Sequence, residues 1–142
     1  MKRQARTLDT MMRMRRMVVE EARRDLLACI QAETAAADRE RAAMNALHDE
    51  RDLASAPDTD DAAVEAFARW LPVGNKALET AREALGRAVG ASTQARARLN
   101  AARAAEEAVQ RRIETLAEAE REEFLRREQA ELDEAARNAA RA

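Results

Sequence analysis

Residues 76–116 read KALETAREALGRAVGASTQARARLNAARAAEEAVQRRIETL. Counting by sevens from Leu78 gives Leu78, Leu85, Ser92, Leu99, Glu106 and Ile113 at one position, with Ala81, Ala88, Ala95, Ala102, Val109 and Leu116 at the other. Small and apolar residues at alternating steps of three and four lie along one stripe of an α-helix, and consecutive heptads of this kind form a coiled-coil seam. At 1.5 Å per residue, a helix over 75–138 would be roughly 95 Å long. Few compact folds accommodate such an element.

Upstream, Leu8, Met12, Arg15, Val19, Ala22 and Leu26 follow the same alternating steps. Ile30, Ala37 and Met44 then recur seven apart with Leu47 beside them, so Ala22, Leu26 and Ile30 make two steps of four. Such a stutter relaxes the supercoil locally. A first helix is expected over about 5–54. It stops at Ser55-Ala-Pro-Asp-Thr-Asp-Asp61, where Pro57 ends a helix and the Asp/Thr cluster can cap a new one. A short helix from about Asp60 to Trp70 is expected to close at Leu71-Pro72-Val73-Gly74, because a residue before proline is pushed out of the helical region. The predicted architecture is all-α: one domain over 1–142, a long two-helix antiparallel coiled-coil hairpin with a short helical connector over 55–73 and a second helix over about 74–138.

Composition agrees. Of 142 residues, 37% are charged and 46% hydrophobic, yet only 2% are aromatic, and alanine fills most apolar positions. Alanine buries little area, which favours narrow seams over a thick core. Three glycines, two prolines and no tyrosine leave little turn chemistry for sheets, while Ala, Arg, Glu and Leu are good helix formers. Pairs such as Glu20/Arg24, Glu83/Arg87, Glu107/Arg111, Glu122/Arg126 and Glu123/Arg127 have the stabilising order and spacing.

A net charge of -2 sets up no field that would recruit nucleic acid or an anionic membrane. One cysteine, Cys29, makes neither an internal disulfide nor a metal cluster, which points to a reducing cytoplasmic setting. No window is long and apolar enough to insert directly into a membrane, and the Met-rich start is broken by Arg13, Arg15 and Arg16. That start reads as mature chain because Glu20 and Glu21 and the unbroken period are foreign to a transit peptide.

Charge also bears on helix direction. Residues 1–24 carry eight basic and three acidic groups, and residues 113–134 carry nine acidic and three basic groups. Folding back antiparallel brings the two blocks together, whereas a parallel homodimer stacks like on like. The tip is centred near Pro57 or spans the whole 55–72 segment, and charge favours the second. That register sets Gly86 and Gly90 against Ala35, Ala36 and Ala37, where the glycines would allow close helix approach; otherwise they are two tolerated helical glycines.

Groups capable of chemistry do not converge. His48 is the only histidine, beside Asp49, so neither a zinc pair nor a Ser/His/Asp set is available. Glu122/Glu123 and Asp60/Asp61 read as a solvated face and a helix start, and Gly86-Arg-Ala-Val-Gly90 lacks the strand-to-helix setting of a phosphate loop. Cys29 falls on the seam face. No catalytic residue, cofactor or metal is expected, and the chain reads as a non-enzyme. Partner-binding features stand out more. Phe67 and Trp70, with Leu71 beside them, sit in Phe67-Ala-Arg-Trp-Leu-Pro72 and are either a hot spot or a plug at the hairpin's end. Met11, Met14 and Met17 cannot all share the face of Met12, so apolar surface should remain exposed near the start.

The stretch Glu122-Glu-Phe-Leu-Arg-Arg-Glu-Gln-Ala-Glu-Leu-Asp-Glu134, together with the chain's length, its basic start and its mid-chain connector, resembles the stalk proteins of flagellar type III export, the FliJ family, and their injectisome counterpart YscO. The resemblance spans nearly the whole chain. It implies a cytoplasmic stalk, peripheral to the membrane-bound export apparatus, whose paired termini enter the export ATPase hexamer and which links it to a membrane-embedded export gate. It also implies dealings with export chaperones, on which the residues are silent. Ring contact would then fall on Arg126, Arg127, Glu128, Gln129, Glu131, Leu132, Asp133 and Glu134, with Arg13, Arg15 and Arg16 alongside. Gate contact cannot be carried over residue by residue, and Phe67, Trp70 and Leu71 are candidates from their chemistry alone. The alternative is a self-associating coiled-coil scaffold or tether unrelated to secretion.

Overall fold

The structure is a computed structural model that describes residues 2–142. Two helices make the fold, α1 (Lys2–Ala54) and α2 (Asp61–Arg141), with no strand among the described residues. It is an all-α hairpin of two helices packed against each other.

The helices are joined by six residues, Ser55–Asp60. The end of α1 is held by Ser55 N–H donating to the Arg51 carbonyl at 3.0 Å, and the Thr59 hydroxyl donates to the Leu53 carbonyl at 2.6 Å. Asp60 caps α2, accepting at Oδ1 from the Ala63 N–H at 2.9 Å, which satisfies one of the orphan donors of a helix start.

The break expected at Leu71–Gly74 is absent, because α2 runs straight through Pro72. An interior proline forfeits one backbone hydrogen bond and crowds the carbonyl four residues back, at a cost of about 3 kcal/mol. That cost is met locally by the half-buried Phe67, Trp70 and Leu71, two of which share a hollow with Leu53 and Ala54. The connector therefore ends at Asp60, and the short helix is the first part of α2. Both helices also reach slightly further than the period suggests, to Lys2 and Arg141.

Two compact units divide the chain: Glu21–Leu99, and residues 1–20 with 100–142. In the Glu21–Leu99 unit, α1 turns Ala22, Leu26, Cys29, Glu33, Ala36, Glu40, Ala43 and Leu47 inward, all buried or half-buried. Their steps alternate four and three without interruption, so the expected stutter does not occur. Ile30, placed on the seam by its apolar character, is 36% exposed. Glu33 and Glu40 hold seam positions instead. Opposite them lie Leu78, Ala81, Leu85, Ala88, Ser92, Ala95 and Leu99, the stripe expected from the heptads. The Ser92 hydroxyl lies 2.6 Å from Glu33 Oε2, and Arg82 Nε lies 3.4 Å from Glu40 Oε1. Higher α1 numbers thus meet lower α2 numbers, and the helices of this unit run antiparallel.

Gly86 and Gly90 do not form a close-packed waist. Both are exposed, and a Cβ on either would meet nothing within 4 Å. They stand one and two positions off the seam residues Leu85 and Ala88, which turns them outward.

In the unit of residues 1–20 and 100–142, Met12 and Val19 are buried and Leu8 half-buried on α1. Across from them are Ala102, Glu106, Val109, Ile113 and Leu116, and Arg16 Nε sits 3.8 Å from Glu106 Oε1. Arg15, counted among the seam positions by spacing, is exposed, as a guanidinium that keeps its hydration must be.

Candidate functional site

Lys2 begins α1, and Arg3 and Gln4 line a groove together with Ala119. The α2 helix then runs about twenty residues further, and every residue from Phe124 to Ala142 is exposed. A helix stretch with nothing beside it must hold itself together locally. Glu123 pairs with Arg127, Gln129 Nε2 donates to Asp133 Oδ1 at 2.9 Å, and Arg137 pairs with Glu134 at 2.9 Å. Each such pair is worth only a few tenths of a kcal/mol. Phe124, Leu125 and Leu132 are 60–65% exposed on this stretch. Spacings of three and four put them on one broad face with Glu128 and Glu131.

This stretch contains Arg126, Arg127, Glu128, Gln129, Glu131, Leu132, Asp133 and Glu134, all exposed. Arg13, Arg15 and Arg16 do not stand alongside it. Arg16 meets Glu106, twenty positions before Arg126, which is about 30 Å along the helix. The expected juxtaposition fails because the acidic block overruns the start of α1, leaving only its first part beside that helix, where Glu120 shares a hollow with Ala5, Leu8 and Asp9.

Between α1 and α2 of the same unit lies a groove of about 470 Å³ with Leu8 and Leu116 among its lining and Arg3, Thr7, Arg112 and Thr115 around them. The two threonine hydroxyls donate to their own helices, to the carbonyls of Arg3 and Arg111. Helical spacing continues the α1 wall from Thr7 through Met11, Met14 and Val18, which are 38%, 61% and 46% exposed. No ion pair is made by Arg3, Arg15 or Arg112 among the described residues. Sequence spacing flagged surplus methionines here but not the groove, because the wall from α2 is set by register.

At the start of α2, Phe67 and Trp70 stack obliquely, with ring centroids 6.3 Å apart and planes tilted by 33°. With Leu71 they are half-buried, which places them neither in a sealed plug nor free on the surface. Gly74 is the residue that shapes this patch. It is buried, and a Cβ there would lie 2.6–2.9 Å from the Trp70 ring, so the indole lies flat over the glycine backbone one turn on. The sequence signal was the Trp70/Gly74 spacing of four, hidden by the expectation that Pro72 ends the helix.

His48 is exposed and Cys29 is half-buried with a free thiol. Among the described residues, no three His, Cys, Asp or Glu side chains gather as metal ligands. No helix among them is long and apolar enough to cross a membrane.

No family model, curated protein or solved structure matches the chain.

Proposed function

We propose that the chain is a non-enzymatic stalk or adaptor of a type III protein export apparatus. In this role the end carrying both termini enters the export ATPase hexamer, and the Phe67–Trp70–Leu71 patch meets the membrane-embedded export gate. The observation that carries the reading is the projecting end of α2. Most of the stretch resembling the export stalk family, residues 122–134, outruns α1, and it stands bare from Phe124 onward.

Physical chemistry suits such a role. A mixed-charge helix with scattered apolar residues makes many weak, exchangeable contacts, and can meet the lumen of a ring without locking into it. One helix, α2, contains both the Trp70 patch and the projecting stretch. The protein acts from the cytoplasmic side as a peripheral component, without a cofactor of its own.

The test is the activity of the cognate export ATPase with the full chain and with a chain truncated after Leu125. Stimulation by the full chain, lost in a truncation that keeps its helicity, is the expected result. Absence of any stimulation by the full chain, with self-association in solution, returns the protein to the class of coiled-coil scaffolds.

A further inference from the structure

We infer that two copies of this chain pair end to end, each laying the projecting part of its α2 into the Leu8/Leu116 groove of the other. Two unpartnered surfaces of the same unit complement each other. The projecting stretch offers Phe124, Leu125 and Leu132 with Glu128 and Glu131, two carboxylates that make no ion pair among the described residues. The groove offers Leu8, Leu116 and Ala119 with the guanidiniums of Arg3 and Arg112, and helical spacing carries the same α1 face on to exposed Met11, Met14 and Val18; Arg3, Arg15 and Arg112 make no ion pair among the described residues. Charge and apolar face therefore match in sign and in kind.

Length matches too. Phe124–Arg141 spans about 27 Å of helix and Arg3–Val18 about 24 Å, at 1.5 Å per residue. The occupant cannot be the chain's own end, because α2 is one helix through Arg141 and leads away from its own groove. A second copy approaching head-on brings its end along α1 in the direction of that helix. The contact then forms twice under one two-fold axis, which doubles a buried area that a single helix in a groove would leave small. This pairing goes beyond the export reading and does not rest on it; a ring that takes the same projecting end would have to displace the second copy.

Sedimentation of the full chain from about 1 to 300 µM, at low and high salt, gives the first test. A dimer is expected that weakens as salt rises. Met14→Glu puts a carboxylate on the α1 face that continues the groove and Leu132→Glu one on the projecting face, both at exposed positions where helicity by circular dichroism should hold. Each variant alone should weaken dimerisation by about tenfold or more. Mixed, they should recover a dimer of intermediate affinity, since the intact end of the Met14→Glu chain meets the intact groove of the Leu132→Glu chain. A full chain that is monomeric throughout at low salt overturns the proposal. So do dimers that survive either substitution, as seams exchanged between chains would, or a mixture that recovers nothing.

Discussion

Ser92 and Glu33 face each other on the seam of the Glu21–Leu99 unit, with the serine hydroxyl 2.6 Å from Glu33 Oε2 and 3.0 Å from the Val89 carbonyl. One hydroxyl proton serves one acceptor at a time, so the carboxylate competes with the serine's own helix. Ser92 is only 3% exposed. A polar pair at a seam position fixes register, since sliding one helix by a turn would leave a buried hydroxyl and a half-buried carboxylate without each other.

Ser92→Ala should therefore lower stability by about 1–2 kcal/mol, the usual cost of orphaning a partly buried polar partner. Urea denaturation followed by circular dichroism reads it. A change below about 0.3 kcal/mol would mean that water already serves Glu33 as well as Ser92 does.

The three glycines separate two effects of a methyl group. At Gly86 and Gly90 a Cβ meets nothing within 4 Å, so Gly86→Ala and Gly90→Ala should each stabilise by up to about 1 kcal/mol through helix propensity alone. At Gly74 the same methyl lands on the Trp70 ring, 2.6 Å from its nearest atom. Gly74→Ala should gain less than the other two and shift the emission of Trp70, the only tryptophan, as the indole is lifted off. Equal gains at all three positions, with unchanged fluorescence, would remove the claim that Gly74 seats the ring.

Pro72 lies well inside α2, far from the first turn, where its missing N–H would cost nothing. Pro72→Ala should restore one helical hydrogen bond and raise stability by roughly 1–3 kcal/mol. Hydrogen exchange around Ala68–Arg69 should slow at the same time. Faster exchange there would mean that the proline tightens the turn.

Much of α2 could be read from its residues because its heptads carry Leu, Ala, Val and Ile at nearly every inward position, and hydrophobic period reports burial directly. On α1 the same rule led to Ile30, away from Glu33 and Glu40. A glutamate on a seam is invisible to a pattern built on apolar residues until its partners Ser92 and Arg82 are placed opposite. The Leu71-Pro72 boundary misled for a different reason. Preference of a residue before proline is local, and half-buried Phe67, Trp70 and Leu71 supply enough contact to override it. As for the site, the charged run at 122–134 was plain in the sequence. That it stands clear of Arg13, Arg15 and Arg16 depends on where α1 begins relative to α2, a matter of register that composition cannot supply.

Trp70 offers the most direct separation of packing from recognition. It is half-buried over Gly74 and stacked obliquely on Phe67, and a partly exposed aromatic is the residue type that anchors partners. Trp70→Ala should leave the helicity of the chain within a few per cent, because α2 is capped by Asp60 and extends far beyond this turn. If the proposed export role holds, affinity for the cytoplasmic part of the export gate should fall about tenfold or more, as for truncation of an aromatic hot spot. Phe67→Leu keeps volume against Leu53 and Ala54 and should have a smaller effect on both. Loss of thermal stability in step with loss of binding would assign Trp70 to packing alone. Unchanged binding would remove Trp70 from the proposed gate contact.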